Sequence, residues 1–347
     1  MDITNSFCAR SLTIIFLVAL SYWGHPFYAH SSSAQDESYE IFIHTGKVSD
    51  AIDLFKSRNF WGAETHDADL DVPRIIMAVA SERWDDESED IEVEVKKELF
   101  YRVIVPMVLL SNELIEKERT EIEAMAAPIK SGDTLKPEQQ SRLDAFAEKY
   151  ELEETADTAE LLSQLLERVD VIPASLALGQ AAYESGYGTS RFAQEGNALF
   201  GQWTYSGDGM KPKEHRASKG DYGVASYQWP FDSVRSYMFN LNTHDAYQAL
   251  REKRAAIRKK GKQPTGLELA ETLDKYSEKG AEYVKTLKGI ITVNNLTITD
   301  QAYLRDEPVT LTVGVPKEKK SADIESEIDR LRASGELDRI VEDMKLQ

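Results

Sequence analysis

Glu184 stands where an apolar run gives way to a glycine-rich one, in the segment Leu176–Trp203, LALGQAAYESGYGTSRFAQEGNALFGQW. Pro173 is a helix-starting residue, and helical spacing back from Glu184 gives Ala181, Gln180 and Ala177. The carboxyl therefore shares a face with small, mostly apolar residues, and burial there disfavours its charged form. Its place in the last turn before Gly186 adds the partial negative charge of a helix end, which favours protonation again. A carboxylic acid that still holds its proton near neutral pH is suited to general acid catalysis.

The elements that must position this acid follow from periodicity. Ile91–Ala127 reads as a long helix or a kinked pair, with Pro106 expected to bend or interrupt it. Asp157–Val169 is an amphipathic helix through Leu161, Leu162, Leu165 and Leu166, and the helix carrying Glu184 follows. ALFGQWTY from Ala198 and YGVASYQW from Tyr222 are aromatic-rich and partly alternating, the pattern of two short strands. They enclose a polar loop, Ser206–Asp221, that holds Glu214, His215 and Asp221. Helices then resume, with Asp232 or Ser233 as a cap, a start at Asp245, a Thr265–Glu268 capping box leading to about Tyr276, and a last helix over Gly280–Ile291. Residues 35–70 show no sustained period. The acidic stretch Glu64–Asp71 reads as a solvated loop, since Glu64, His66, Asp67 and Asp69 lack paired histidines at helical spacing.

Composition narrows the classes. The chain has 347 residues with a net charge of −19, which argues against nucleic-acid binding and against attraction to anionic lipid. Arg10, the apolar stretch Leu12–Leu20 and Ser32-Ser33-Ala34 have the layout of a secretory signal peptide cut after Ala34, with an uncleaved membrane anchor as the alternative. Cys8, the only cysteine, precedes that stretch, so the mature chain has no thiol for a disulfide, metal or nucleophile. No metal or other cofactor is expected, and the oligomeric state is not legible. Export is the expectation, and a chain without thiols fits a bacterial envelope. The division expected is 1–34 signal peptide, 35–156 helical region, 157–292 core domain and 293–347 charged extension, the last with narrow apolar stripes after Pro316.

One helix-borne acid beside a small hairpin resembles the lysozyme-like glycosidases. Gly179–Ala182, Glu184–Ser190 and Gly196–Gly201 together resemble the signature of glycoside hydrolase family 73, and within it the Bax-type proteins of Gram-negative bacteria. Phe100, Pro106, Asn112, Asp232–Val234 and Asn240–Tyr247 support the likeness, which covers roughly residues 70–290. The resemblance implies an α+β, mainly α, lysozyme-like fold with a small β-hairpin lobe and helical extensions at both ends. It implies hydrolysis of the β-1,4 bond between N-acetylglucosamine and N-acetylmuramic acid in peptidoglycan strands, with Glu184 as the acid.

The remaining site residues keep two readings each. Tyr187 falls inside the signature and is a candidate for substrate contact. Gly186 and Gly188 suit a sharp turn. Asn197 either holds a turn or touches sugar. Trp203, Tyr205 and Tyr227 either line a sugar cleft or pack the hairpin. Tyr276 falls near where the family has an active-site tyrosine, and a core role fits equally. The family's second glutamate, in a T-x-E-Y element of the β-lobe, has no match here. Glu214 and Asp221 are the candidates for it, and assistance from the substrate's own N-acetyl group is the third option. Two rival functions stay open: a lytic transglycosylase, and a non-catalytic wall-binding protein.

Overall fold

The computed structural model describes residues 29–30, 39–44, 48–62, 71–79, 91–153, 157–204, 209–211, 222–277 and 279–314, with isolated positions 326, 333 and 335. The apolar stretch Leu12–Leu20, the acids Glu64–Asp69 and, apart from those isolated positions, the charged tail after Pro316 lie outside them. Among the described residues no helix is long and apolar enough to cross a membrane.

A single helix, α2 (Val93–Lys130), is the spine of the molecule. At 1.5 Å per residue it is about 57 Å long. Its first two thirds bury Leu99, Phe100, Ile104, Met107, Val108 and Leu114 in the main core. Its last third buries Ile122, Met125 and Ala126 in a second, smaller core with α3 (Pro137–Lys149) and α4 (Thr158–Arg168). Of the two readings, a long helix or a kinked pair, the long helix holds: α2 runs through Pro106, expected to bend or interrupt it, without interruption. A proline removes one amide donor from the ladder. Here Pro106 lies among buried neighbours, and packing on both sides holds the helix together.

The acid-bearing helix is α5 (Ala174–Ser185), buried from Ala174 to Ala182 and packed against α2 and α10 (Ala281–Val293). Gly179 permits that approach, since a Cβ there would stand 2.8 Å from Ile291 Cγ1 and 3.0 Å from Leu287 Cδ1. A short helix α6 (Arg191–Gly196) leads to the antiparallel pair β5 (Trp203–Thr204) and β6 (Gly223–Val224). The expected strands are therefore cut to two residues each. Asn197 at φ 51° and Gly201 at φ 60° turn the chain, so Ala198, Leu199 and Phe200 enter the core instead of alternating.

The next helix, α7 (Pro230–Thr243), starts before the expected cap, with Pro230 in its first turn after Trp229. Ser233 is buried and its hydroxyl accepts from the Leu199 amide, so it joins α7 to the turn before β5. A 3-10 turn (Asp245–Tyr247) and α8 (Gln248–Lys259) follow as anticipated. The Thr265–Glu268 capping box is present, but its helix α9 ends at Ala270, short of Tyr276.

The unpatterned N-terminal region holds a sheet that periodicity missed. Strands β1 (Ala29–His30), β2 (Tyr39–His44) and β4 (Ile75–Val79) combine with β8 (Val309–Gly314) in the order β1-β2-β8-β4. The central strand β8 comes from the C-terminal extension and pairs in parallel with both neighbours. A parallel partner some 270 residues away leaves no local turn signal. A cut after Ala34 would remove only the edge strand β1. The helix α1 (Val48–Ser57) follows β2, and β3 (Asp71–Val72) pairs with β7 (Tyr303–Leu304).

Candidate active site

The turn after Glu184 is fixed by its own sequence. Gly186, Tyr187 and Gly188 all have positive φ (58°, 58° and 78°), which glycine tolerates and tyrosine resists. Ser185 Oγ donates to the Ala181 carbonyl at 2.6 Å and accepts the Gly188 amide at 2.8 Å. Thr189 Oγ1 donates to the Gly186 carbonyl at 2.7 Å, and Ser190 caps α6 through the Ala193 amide. Tyr187 is held by edge contacts to Phe100 and Tyr101, with ring centroids 5.8 and 5.9 Å apart. Phe100 also covers Gly188, and Asn112 exchanges two hydrogen bonds with Ile172 (2.8 and 3.0 Å) to anchor the chain entering α5.

Three elements close around the carboxyl. Gly201 lies beside it, with a Cβ there 3.7 Å from Glu184 Oε2. A buried relay approaches from below: the Tyr237 hydroxyl donates to Gln180 Oε1 (2.7 Å), Gln180 Nε2 donates to the Tyr283 oxygen (2.9 Å), and Tyr283 donates to Glu184. Tyr276 stacks on Tyr283 with centroids 5.4 Å apart, and its hydroxyl donates to the Phe200 carbonyl at 3.1 Å. Phe200 in turn stacks on Tyr237 at 3.8 Å. Tyr247 lies 5.9 Å from Tyr276, and Tyr183 meets Tyr283 edge-on at 5.1 Å.

Burial in this aromatic shell pushes the Glu184 carboxyl up to about 7. The Tyr283 hydrogen bond and the positive charge of Lys279 oppose the rise and are outweighed. The same burial, with Glu184 nearby, raises the Tyr276, Tyr247 and Tyr283 phenols above their ordinary value. These hydroxyls are therefore neutral donors at any physiological pH. An acid that is half protonated near pH 7 and only partly buried can give its proton to a substrate oxygen.

The structure disperses the other expected residues. Tyr276 joins the shell around Glu184. Asn197 and Tyr227 serve the hairpin: Asn197 Nδ2 donates to the Tyr227 and Gln228 carbonyls, while the Tyr227 hydroxyl meets Gln202 and Ser236. Trp203 is 56% exposed and tilts against Tyr222 at 5.4 Å, an apolar surface presented outward on the hairpin. Tyr205, Glu214 and Asp221 lie outside the described residues.

Sequence reasoning missed Tyr183, Tyr237, Tyr247, Tyr283 and Lys279 as neighbours of the acid. The buried amide of Gln180 was a usable signal, because it needs partners and two tyrosine hydroxyls supply them.

Residues 159–296 match the glucosaminidase family, described as mannosyl-glycoprotein endo-beta-N-acetylglucosaminidase. The chain is 33% identical to protein Bax of Escherichia coli (strain K12) over 189 residues, which span 54% of this chain and 66% of that relative. No solved structure matches it.

Proposed function

The chain carries a glucosaminidase domain at residues 159–296, and we propose that it hydrolyses peptidoglycan between N-acetylglucosamine and N-acetylmuramic acid with Glu184 as general acid. The observation that carries this reading is the position of Glu184 at the mouth of a tyrosine shell that holds its carboxyl near 7. Protonation of the oxygen shared by the two sugars lets the N-acetylmuramic acid side leave as a neutral alcohol. Positive charge then develops at the anomeric carbon of N-acetylglucosamine. Tyr283 holds the carboxyl in place through its hydrogen bond, and Gln180 and Tyr237 hold Tyr283. The exposed Trp203 offers a face for a pyranose ring.

The group opposite Glu184 is drawn from the loop that β5 and β6 close, through Glu214 or Asp221, or from the substrate's N-acetyl group. A partner carboxylate about 5–5.5 Å from Glu184 predicts retention and one about 6.5–9.5 Å away predicts inversion. Such an enzyme works outside the cytoplasmic membrane, in keeping with the leader-like N-terminus.

Product analysis tests the bond and the reaction together. Purified peptidoglycan digested by the full chain and examined by mass spectrometry should yield fragments with reducing-end N-acetylglucosamine. Anhydro-muramic ends would instead identify a transglycosylase. Binding to wall material without any released saccharide would identify a non-catalytic wall protein.

A further inference from the structure

Among the described residues Lys279 is the cation whose charge acts on Glu184, and nothing in the proton-donating step needs it. It sits in the turn between Tyr276 and α10, which begins after Gly280 at φ 52°. Its ammonium donates to the Tyr183 hydroxyl at 3.1 Å and lies 5.8 Å from that ring's centroid. Tyr183 immediately precedes Glu184 in α5. Lys279 is exposed, and its charge is felt at Glu184 and by Glu184 in return.

Four other described lysines are paired with carboxylates of the chain itself. Lys97 pairs with Glu94, Lys149 with Glu118, and Lys253 and Lys288 both with Glu271. Among the described residues Lys279 has no carboxylate within ion-pair distance and spends one of its three N–H donors on a neutral phenol. Two donors and a full charge are left at the rim of the pocket. With a net charge of −19 the protein repels an anionic polymer overall, so a local cation beside the acid has an outsized effect on how that polymer approaches.

We propose that Lys279 is a specificity-determining residue that binds a carboxylate of the substrate, drawing carboxylate-bearing glycan to Glu184 in preference to neutral glycan. The inference rests on the glycosidase reading above and adds the chemical class of group that the rim selects. Tyr183 orients the ammonium, and its ring shields one side of it. The carboxylate bound is one carried by the muramic side of the strand or by its peptide, since N-acetylglucosamine has none.

The test crosses a variant with a substrate modification, using the full chain. One substrate is native peptidoglycan, and the other is the same material with its carboxylates converted to amides by carbodiimide coupling. On native material Lys279→Ala should raise KM about tenfold, the loss expected for one charge-assisted hydrogen bond. Lys279→Arg should restore most of it, and Lys279→Glu should be worse than alanine. On amidated material wild type and Lys279→Ala should share one KM, close to that of Lys279→Ala on native material. An equal fold-change on both substrates would overturn the proposal, because Lys279 would then act through Tyr183 or Glu184. A wild type inactive on both substrates would overturn the glycosidase reading itself. Lys279 is exposed, so its variants should fold, and unchanged circular dichroism spectra check this.

Discussion

Charge is costly at Glu184, and activity and stability both follow from that. Its pKa is raised from 4.5 to about 7, so the folded protein favours the protonated form. The stabilisation is complete below the unfolded value and is lost as pH rises through about 7. Relative to Glu184→Gln, the wild type should lose up to about 3 kcal/mol between pH 5 and pH 9. Paired thermal melts across that range would show the gap opening on the alkaline side. Turnover should fall over the same interval, since the acid must hold its proton. Tyr283→Phe removes a bond that favours the carboxylate, so the alkaline limb of its pH–rate profile should move to higher pH. A limb that stayed put would show that Tyr283 does not bond the acid. The buried face that Glu184 shares was legible in the sequence, because Ala177, Gln180 and Ala181 are buried as their spacing implied. The tyrosines were not, because a tyrosine on a helix's apolar face reads as core until the fold shows where its hydroxyl points.

Asp300 shows how separate elements hold the acid-bearing helix. This partly buried carboxylate, in the 3-10 segment Leu296–Gln301, accepts from the Ser175 amide and hydroxyl and from the Gly266 amide, all at 2.9 Å. It thereby satisfies orphan donors at the starts of α5 and α9 together, where negative charge is favourable. Asp300→Ala should cost about 2–4 kcal/mol in urea denaturation, more than an exposed helix cap. Gly266→Ala should also be severe, since its Cβ would collide with Ser175 Oγ and stand 2.6 Å from the Leu176 backbone nitrogen. Wild-type stability in either variant would contradict this junction. Helices were legible where one face is apolar, as in α4, expected from Leu161, Leu162 and Leu165; its Asp157 cap, which accepts from the Ala159 and Glu160 amides, is a finding of the structure. Their ends were less so: α7 is capped at Trp229, three residues before Asp232, because Pro230 fits its first turn, and α9 stops at Ala270.

At the scale of the molecule, segments far apart in sequence share one core. Arg254 is fully buried, with bonds to the Asp170, Val171, Glu167 and Arg168 carbonyls and to Asn242 Oδ1, so it joins α8 to the link between α4 and α5 and to α7. Asp170, 2% exposed, is flanked by Arg119, Arg254 and Arg258. Arg254→Met leaves those carbonyls without a partner and should cost about 3–5 kcal/mol, measured as a drop in denaturation midpoint. Strand β8 lies at the centre of the sheet, which is why neither half of the sheet could be read alone. In the proposed function these links hold the Glu184 carboxyl in the place from which it donates its proton. The most direct test is the initial rate of saccharide release from purified peptidoglycan at pH 6 by wild type and Glu184→Gln, with matched melts confirming that both fold. A loss of about 100-fold to 10,000-fold is the outcome predicted for removal of the general acid. A glutamine variant that kept the wild-type rate would contradict the assignment of Glu184.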